Sequence, residues 1–338
     1  MFKRFNKDSC YIIAEIGGNF TMLEQAKRLI DAAAGAGVDA VKLQTYRAET
    51  LSSRKAMFDM ENTGVVPQFE LFRKYEIGEA LHREVFAYAS SKRLDWFSTP
   101  SHKTDVDMLE RLGVGAYKIG SDDACNLPFL RHVAEKGKPM LLSTGMCTLD
   151  EVRESVQAIL ETGNHRLILL HAVTSYPTHP ENVNLRAMQT LAREFPDLDV
   201  GYSDHTTGST ACICAASMGA RLLEKHFTWD KQADGPDHML SADPAEMKFI
   251  VDAVRQYECM RGDGIKRPAA SEVGTRRNNR KSVVLERPIR AGERLTAAHI
   301  AVKRPGYGIA PRHLEELVGR AVRRDLEMDD VLTWEDLA

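Results

Sequence analysis

No run of about eighteen apolar residues occurs anywhere in this chain, so no stretch reads as a transmembrane helix. The opening MFKRFNKDSC carries basic residues with no apolar stretch behind them, which argues against a secretory leader and predicts a soluble protein of the cytoplasm. Cysteine is sparse. Cys10, Cys125, Cys147, Cys212, Cys214 and Cys259 include no CxxC pair and no zinc-ribbon spacing, which predicts reduced thiols and excludes a structural zinc of that kind. Aromatic residues make up 7% of the chain and do not interleave with its basic stretch, where Lys266, Arg267, Arg276, Arg277, Arg280 and Lys281 fall within 261–281. Without such interleaving the stretch reads as a solvated linker and not as a nucleic-acid surface. The net charge of −3 hides this local asymmetry.

What the chain does have is apolar content and rhythm. With 43% hydrophobic and 28% charged residues over 338 positions, it can bury a large core. The length suits a barrel of about 250 residues with a small appended domain. Eight short apolar runs alternate with segments of helical period: 11–17, 40–46, 95–100, 116–121, 139–145, 167–173, 199–205 and 222–228. Between them lie patterns such as TMLEQAKRLIDAAAGAG, with a glycine stop, and TLDEVRESVQAILETG, opened by a Thr cap with acids in the first turn. The expectation is an α/β protein whose first domain, 1–260, is a parallel (β/α)8 barrel. A linker over 261–281 and a compact module of short strands and turns over 282–338 complete the expected organisation. The interval Arg47–Arg93 breaks the rhythm and reads as a lid over the barrel mouth.

Barrel active sites form at the C-terminal ends of the strands. Every one of the eight runs ends in polar groups: Glu15; Lys42 and Gln44; Ser98 and Thr99; Lys118 and Ser121; Ser143 and Thr144; His171, Thr174 and Tyr176; Ser203, Asp204 and His205; Glu224, Lys225 and His226. Such repetition predicts convergence on one site. His205 and His226 would end neighbouring strands, where two imidazoles with oxygen ligands suit a catalytic Mn2+, Mg2+ or Zn2+; hydrogen-bonded core histidines are the alternative. Lys42, Lys118 and Lys225 would point ammonium groups at the same mouth, and buried cations there call for an anionic ligand bearing phosphate and carboxylate. Ser121, Ser143, Ser203 and Thr99 could donate to its oxygens or merely tie off strand ends. A Schiff-base lysine, as in metal-independent aldolases, is a second enzymatic reading.

At these residues the chain resembles the sialic acid synthase family, which condenses phosphoenolpyruvate with N-acylated hexosamines. The matching segments are AEIGGN, VKLQTY, FSTP, YKIGSD, LSTGM, SYPT, GYSDHT, EKHFT and GPDHMLSADP, followed by VKRPGYGI in the tail. The resemblance implies a TIM barrel followed by a small SAF domain similar to type III antifreeze proteins. It implies that His205 and His226 hold Mn2+, with Mg2+ or Co2+ also suited. Phosphoenolpyruvate would lie on Lys42, Thr99, Lys118, Ser121, Ser143 and Ser203, and the sugar would face Glu15, Gln44, Tyr176 and Asp237. Arg304 would reach the sugar's N-acyl group from the partner subunit of a domain-swapped homodimer. Glu15 would move protons on the sugar side or orient the hydroxyls.

Departures from the family pattern concern the sugar. Phe20 stands where a histidine is usual, Asp122 and Asp123 follow the fourth run, and Thr174 replaces a common asparagine, while RPGYG is frequent in the pseudaminic and legionaminic branches. The implied acceptor is N-acetylmannosamine or a related sugar, with a diacetamido-trideoxyhexose as the alternative. A synthase for phosphorylated aldoses, or a sugar-binding scaffold without activity, are the competing classes.

Overall fold

Apolar runs of six or seven residues, separated by amphipathic helices, can bury both faces only by closing into a barrel or stacking between helix layers. This chain closes. The computed structural model describes Phe5, residues 9–61 and residues 63–338, with Met60 described by its backbone alone. It divides into two compact units, Met1–Arg261 and Gly262–Ala338.

In the first unit β1 (Tyr11–Glu15) and β2 (Ala40–Thr45) are followed by a small antiparallel hairpin, β3 (Met57–Met60) and β4 (Gly64–Pro67). The barrel then continues through β5 (Asp95–Pro100), β6 (Tyr117–Ile119), β7 (Met140–Ser143), β8 (Leu167–Ala172), β9 (Asp199–Asp204) and β10 (Leu222–His226). All neighbouring barrel strands are parallel, and β10 closes onto β1 with Tyr11 opposite Leu222 and Glu15 opposite His226. The α/β barrel expected from the alternation is therefore the fold of this unit.

Side chains alternate across each strand. One set, including Tyr11, Ile13, Phe97, Leu141, Leu170 and Leu222, fills the barrel interior. The other, including Ile12, Val41, Tyr117, Leu142, Tyr202 and Leu223, packs outward against helix residues such as Leu29, Ile30, Leu109 and Ile250. The helices form where caps and periodicity predict them. Leu23–Ala36 buries Ala26, Leu29, Ile30 and Ala33 and stops at Gly37, whose φ of 87° suits a residue without Cβ. Thr148 and Glu151 form the capping box that opens Leu149–Leu160.

Several strands stop before the apolar run does: β1 ends at Glu15, β6 at Ile119 and β7 at Ser143. Gly17 and Gly145 therefore belong to loops at the C-terminal mouth, and Ser121 opens the 3-10 turn Ser121–Asp123. The Arg47–Arg93 excursion folds as the β3–β4 hairpin with the helices Ala48–Leu51, Gln68–Tyr75 and Glu79–Ser91.

The second unit pairs β11 (Ser282–Leu285) antiparallel with β12 (Ile300–Lys303) around a core of residues that includes Val283, Leu295, Ile309, Leu326 and Leu332. The stretch read as a linker belongs with this unit. It carries the helix Val273–Asn279, and the Gly306 N–H donates to the Arg277 carbonyl at 2.9 Å. Its side chains are exposed, as a solvated segment requires.

Candidate active site

Strand alternation sorts the polar strand endings into two groups, and only one faces the mouth. Lys42, Gln44, Thr99, Lys118, Ser121, Ser143, Thr174, Tyr176, Ser203, His205, Glu224, His226 and Asp237 line one cavity of about 460 Å³ at the C-terminal end of the barrel. Ser98, Thr144, His171, Asp204 and Lys225 are absent from that lining, and so is Glu15, whose inward carboxylate is buried against Lys42. Ser98 hydrogen-bonds Thr45, which in turn bonds His82. His171 contacts the Val183 carbonyl through Nε2 at 2.8 Å.

Lys225 corrects the sequence expectation of a third ammonium at the mouth. Its neighbours Glu224 and His226 share the inward face, so Lys225 turns outward, where its Nζ donates to Asp204 Oδ2 and the Thr206 carbonyl, both at 2.7 Å. Asp204 also accepts from the Tyr202 hydroxyl at 2.9 Å and the Thr206 N–H at 2.9 Å. These charges are matched between barrel and helices and are structural.

Inside the barrel, two lysines and two carboxylates form a buried network. Lys42 Nζ lies 2.5 Å from Glu15 Oε2 and 3.9 Å from Glu224 Oε1, and donates to Thr99 Oγ1 at 2.8 Å. Lys118 Nζ donates to Glu224 Oε1 at 3.0 Å, and the same oxygen accepts from Ser203 Oγ at 3.1 Å. Burial opposes the Lys42 ammonium, yet Glu15 and Glu224 outweigh it and raise its pKa. Burial lowers Lys118, which has Glu224 in its favour and Lys42 against it. Burial likewise works against the Glu224 carboxylate, but Lys118 and Lys42 bring its pKa down to about 2, so it is anionic at neutral pH. Glu15 is pushed up by burial against the pull of Lys42.

Glu15 is also held from below. Its Oε1 accepts from the Gly17 N–H at 2.7 Å and lies 3.5 Å from Gln44 Nε2. Gly17 is required by close approach: a Cβ there would sit 2.4 Å from Glu15 Oε1 and 2.6 Å from the Gln44 nitrogen. Gly145 is constrained in the same way on the far side of the mouth. Its N–H donates to Ser121 Oγ at 3.0 Å, and a Cβ would meet Ser121 and Thr174.

Above this network the two histidines come together. Their ring centroids are 5.5 Å apart, and the Tyr176 ring lies 4.3 Å from that of His205. His205 Nδ1 contacts the Val173 carbonyl at 2.7 Å; a carbonyl only accepts, so Nδ1 carries the proton and Nε2 keeps its lone pair. Burial lowers both histidine pKa values, which keeps the rings neutral as metal ligation requires. His226 Nδ1 is buried without a hydrogen-bond partner, 3.4 Å from Asp237 Oδ2. Burial, reinforced by Glu15, raises Asp237 to about 7. Two neutral imidazoles, one with an orphaned nitrogen, beside a carboxylate fit a divalent ion. Ser143 Oγ, Thr174 Oγ1 and Glu224 Oε2 are likewise buried without partners in this cavity.

A model described as the NeuB family matches residues 29–266, and a SAF domain model matches 280–338. The chain belongs to the NeuB family. It is 40% identical to the N,N'-diacetyllegionaminic acid synthase of Legionella pneumophila, over 97% of this chain and 95% of that protein. It is 35% identical to the pseudaminic acid synthase of Campylobacter jejuni, over 98% of each. Among solved structures, the N-acetylneuraminic acid synthetase of Leptospira borgpetersenii in complex with citrate superimposes with a TM-score of 0.70 at 32% identity, covering 79% of this chain and 90% of that one. The chain is accordingly an enzyme of a synthase family, with a TIM barrel and a C-terminal SAF domain.

Within the NeuB-family barrel, the sequence departures fall in different places. Phe20 is buried in the outer core and is not among the cavity-lining residues. Asp122 and Thr174 line the cavity, whereas Asp123 accepts from Asn126 Nδ2 at 2.9 Å and is raised by burial to about 6. Arg304 lies in the SAF unit directly after β12. No described helix is long and apolar enough to cross a membrane.

Two features were missed in the sequence. Glu224 received no role, although its period-two relation to His226 places it on the inward face. The lid was expected over the mouth, but no motif signalled which of its residues, Leu51, Phe58, Leu71, Phe72 and Tyr75, join Tyr46 in the cavity wall. Among the described residues, Cys125, Cys147 and Glu151 are the one group of three potential metal ligands with atoms within 4.8 Å of one another. They stand outside the cavity described above, and the two sulfurs are 3.8 Å apart as free thiols.

Proposed function

We propose that the chain joins phosphoenolpyruvate to an N-acyl hexosamine, giving a nonulosonic acid and phosphate. The observation that carries this reading is the placement of Lys42 and Lys118 in the same cavity as the His205 and His226 pair. Anion-binding cations beside metal-ligating imidazoles suit a reaction between a phosphorylated enol and an aldehyde. The names of the relatives support the same chemistry.

Lys42 and Lys118, with Thr99, Ser121, Ser143 and Ser203, bind the phosphate and carboxylate of phosphoenolpyruvate. His205 and His226, joined by Asp237, would hold a divalent metal, Mn2+ in the first instance and Mg2+ or Co2+ as substitutes. That ion would supply Lewis-acid polarisation of the open-chain aldehyde oxygen. Gln44, Tyr176 and Asp237 orient the sugar, and Glu15 delivers or accepts the proton at the aldehyde oxygen. The enol carbon forms the new carbon–carbon bond, water adds at the former C2 of phosphoenolpyruvate, and the adduct loses phosphate by C–O cleavage. The protein acts as a homodimer in which Arg304 of the SAF unit approaches the N-acyl group in the partner's barrel, and it works in the cytoplasm.

Phosphate release from phosphoenolpyruvate with Mn2+ and a panel of N-acyl hexosamines tests the reading, with 18O at the bridging enol oxygen to locate the cleaved bond. Label recovered in phosphate supports C–O cleavage. Silence across the panel, or a requirement for a phosphorylated aldose, sinks it.

A further inference from the structure

Outside the barrel mouth, two thiols meet. Cys125 follows the short turn after β6 and Cys147 lies in the loop after β7, 22 positions apart in sequence, yet their sulfurs stand 3.8 Å from one another. Glu151, in the first turn of the helix Leu149–Leu160, brings a carboxylate oxygen within 4.8 Å of both. Its Oε2 accepts from the Thr148 N–H at 2.7 Å and the Thr148 hydroxyl at 3.0 Å, which holds the side chain in place.

Geometry and access set this pair apart. Two thiolates on one tetrahedral Zn2+, each at about 2.3 Å, stand about 3.8 Å apart, so a single ion spans Cys125 and Cys147 where they lie. A disulfide would require the sulfurs to close to covalent distance. Cys125 is exposed, and Cys147 lines an outer cavity of about 390 Å³ with Thr144, His171 and Arg186, so an ion can enter from solvent. Cys212, by contrast, is buried, and its thiol donates to Asp204 Oδ2 at 3.2 Å.

We propose that Cys125, Cys147 and Glu151 form a second cation site, which takes Zn2+ or a similarly thiophilic divalent ion with water in the fourth position. Binding puts the ion on two thiolates and one carboxylate and releases both thiol protons to solvent. Thiolates select Zn2+ over Mn2+ and Mg2+, and no cysteine is among the residues lining the barrel-mouth cavity. The ion ties together two loops that reach that cavity. Ser121, four residues before Cys125, accepts from the Gly145 N–H at 3.0 Å, and Met146, next to Cys147, lines both cavities. The site thus clamps from outside the loops that carry Ser121 and Ser143, and it stands apart from the synthase reading because its test needs no turnover.

Co2+ replaces Zn2+ at thiolate sites and reports sulfur ligation as a near-ultraviolet charge-transfer band, which imidazole and carboxylate ligands do not give. The experiment titrates Co2+ into the full chain under a phosphine reductant and then displaces it with Zn2+. It compares the parent, Cys125→Ser, Cys147→Ser, Glu151→Gln and His205→Ala. The expected result is a band saturating at one ion per chain in the parent and in His205→Ala, and its collapse as Zn2+ is added. Each cysteine variant should lose the band or bind at least about tenfold more weakly. Serine enters an exposed and a half-buried position, so both variants should fold. Glu151→Gln keeps the capping box, in which Gln also serves, and should weaken Zn2+ by at least about tenfold. A parent without the band, or a band that titrates unchanged in either cysteine variant, overturns the inference. Loss of the band in His205→Ala overturns it as well, by assigning the ion to the barrel mouth.

Discussion

Glu15 and Lys42 face each other across β1 and β2 at the same register, with Glu15 Oε2 2.5 Å from Lys42 Nζ and neither side chain more than 4% exposed. The pair links the two halves of the proposed chemistry, because Lys42 faces the anion side through Thr99 while Glu15 is held on the sugar side by Gly17 and Gln44.

Glu15→Gln keeps the shape but removes the proton carrier and turns an amide NH2 toward one of the two donors that Glu15 accepts from, the Gly17 N–H or the Lys42 ammonium. Its kcat should fall by about 10²- to 10⁴-fold, with the KM for phosphoenolpyruvate changed by less than about threefold. Lys42→Met should instead weaken phosphoenolpyruvate binding and lower stability by about 3–5 kcal/mol, because it leaves buried carboxylates unpaired. Steady-state kinetics together with urea denaturation separate the two. Equal effects of both variants on kcat alone would contradict the division of roles.

His205→Ala and His226→Ala should each abolish retention of Mn2+ and reduce phosphate release by at least about 100-fold, while phosphoenolpyruvate still binds. Electron paramagnetic resonance of free Mn2+ during titration reads the ion, and calorimetry reads the anion. Full Mn2+ binding in both variants would move the metal away from the imidazoles.

Lys225 offers the contrasting case. Its ammonium faces outward and neutralises Asp204, so Lys225→Met should cost about 3–5 kcal/mol of stability by stranding a buried carboxylate. The KM for phosphoenolpyruvate of the folded fraction should stay near the parent value. A large rise in that KM with unchanged stability would return Lys225 to the mouth.

Asp105 predicts a pH effect on folding. It is 5% exposed, and burial raises its carboxyl to about 6, with the Ser101 N–H at 3.3 Å in partial compensation. Between the ordinary carboxylate range and pH 6 the native state holds this proton and the unfolded chain does not, so this group's contribution to stability falls as pH rises through that window. Above it, the carboxylate remains a fixed burden. Asp105→Asn should therefore stabilise the protein by about 2 kcal/mol at pH 7.5 and by less at pH 5, as read from urea midpoints. A difference that does not vary with pH would refute the assignment.

The homodimer can be tested by complementation. Arg304→Ala and His205→Ala should each be strongly impaired alone, the first mainly in acceptor KM. Co-refolded mixtures should recover activity, since a swapped heterodimer contains one site free of both substitutions. Mixtures no more active than the average of the two variants would place Arg304 and His205 of each site on the same chain, or leave Arg304 without a role.

Much of the barrel was legible because its signals are local. Eight apolar runs, glycine stops and the Thr148 cap each follow from residues a few positions apart, and each corresponds to an element of the fold. The lysines show where such reading ended. Lys42, Lys118 and Lys225 all lie near strand ends, yet Lys225 turns outward while its neighbours Glu224 and His226 face in. Period-two alternation contains that information, but a list of polar endings does not use it.

By itself, then, the sequence determined the alternating elements, the caps that bound them and the inventory of groups at the barrel mouth. Tertiary structure alone decided which of those groups meet. Glu15 and Glu224 are separated by most of the barrel sequence, and their approach to Lys42 depends on closure of β10 against β1. The ring cluster at the cavity wall arises in the same way, because Tyr46, Phe58 and Phe72 come from a strand end, a hairpin and a helix. Local periodicity sets the direction of a side chain relative to its own element; the charges and rings that surround it are set by elements distant in sequence, through packing that no short window encodes.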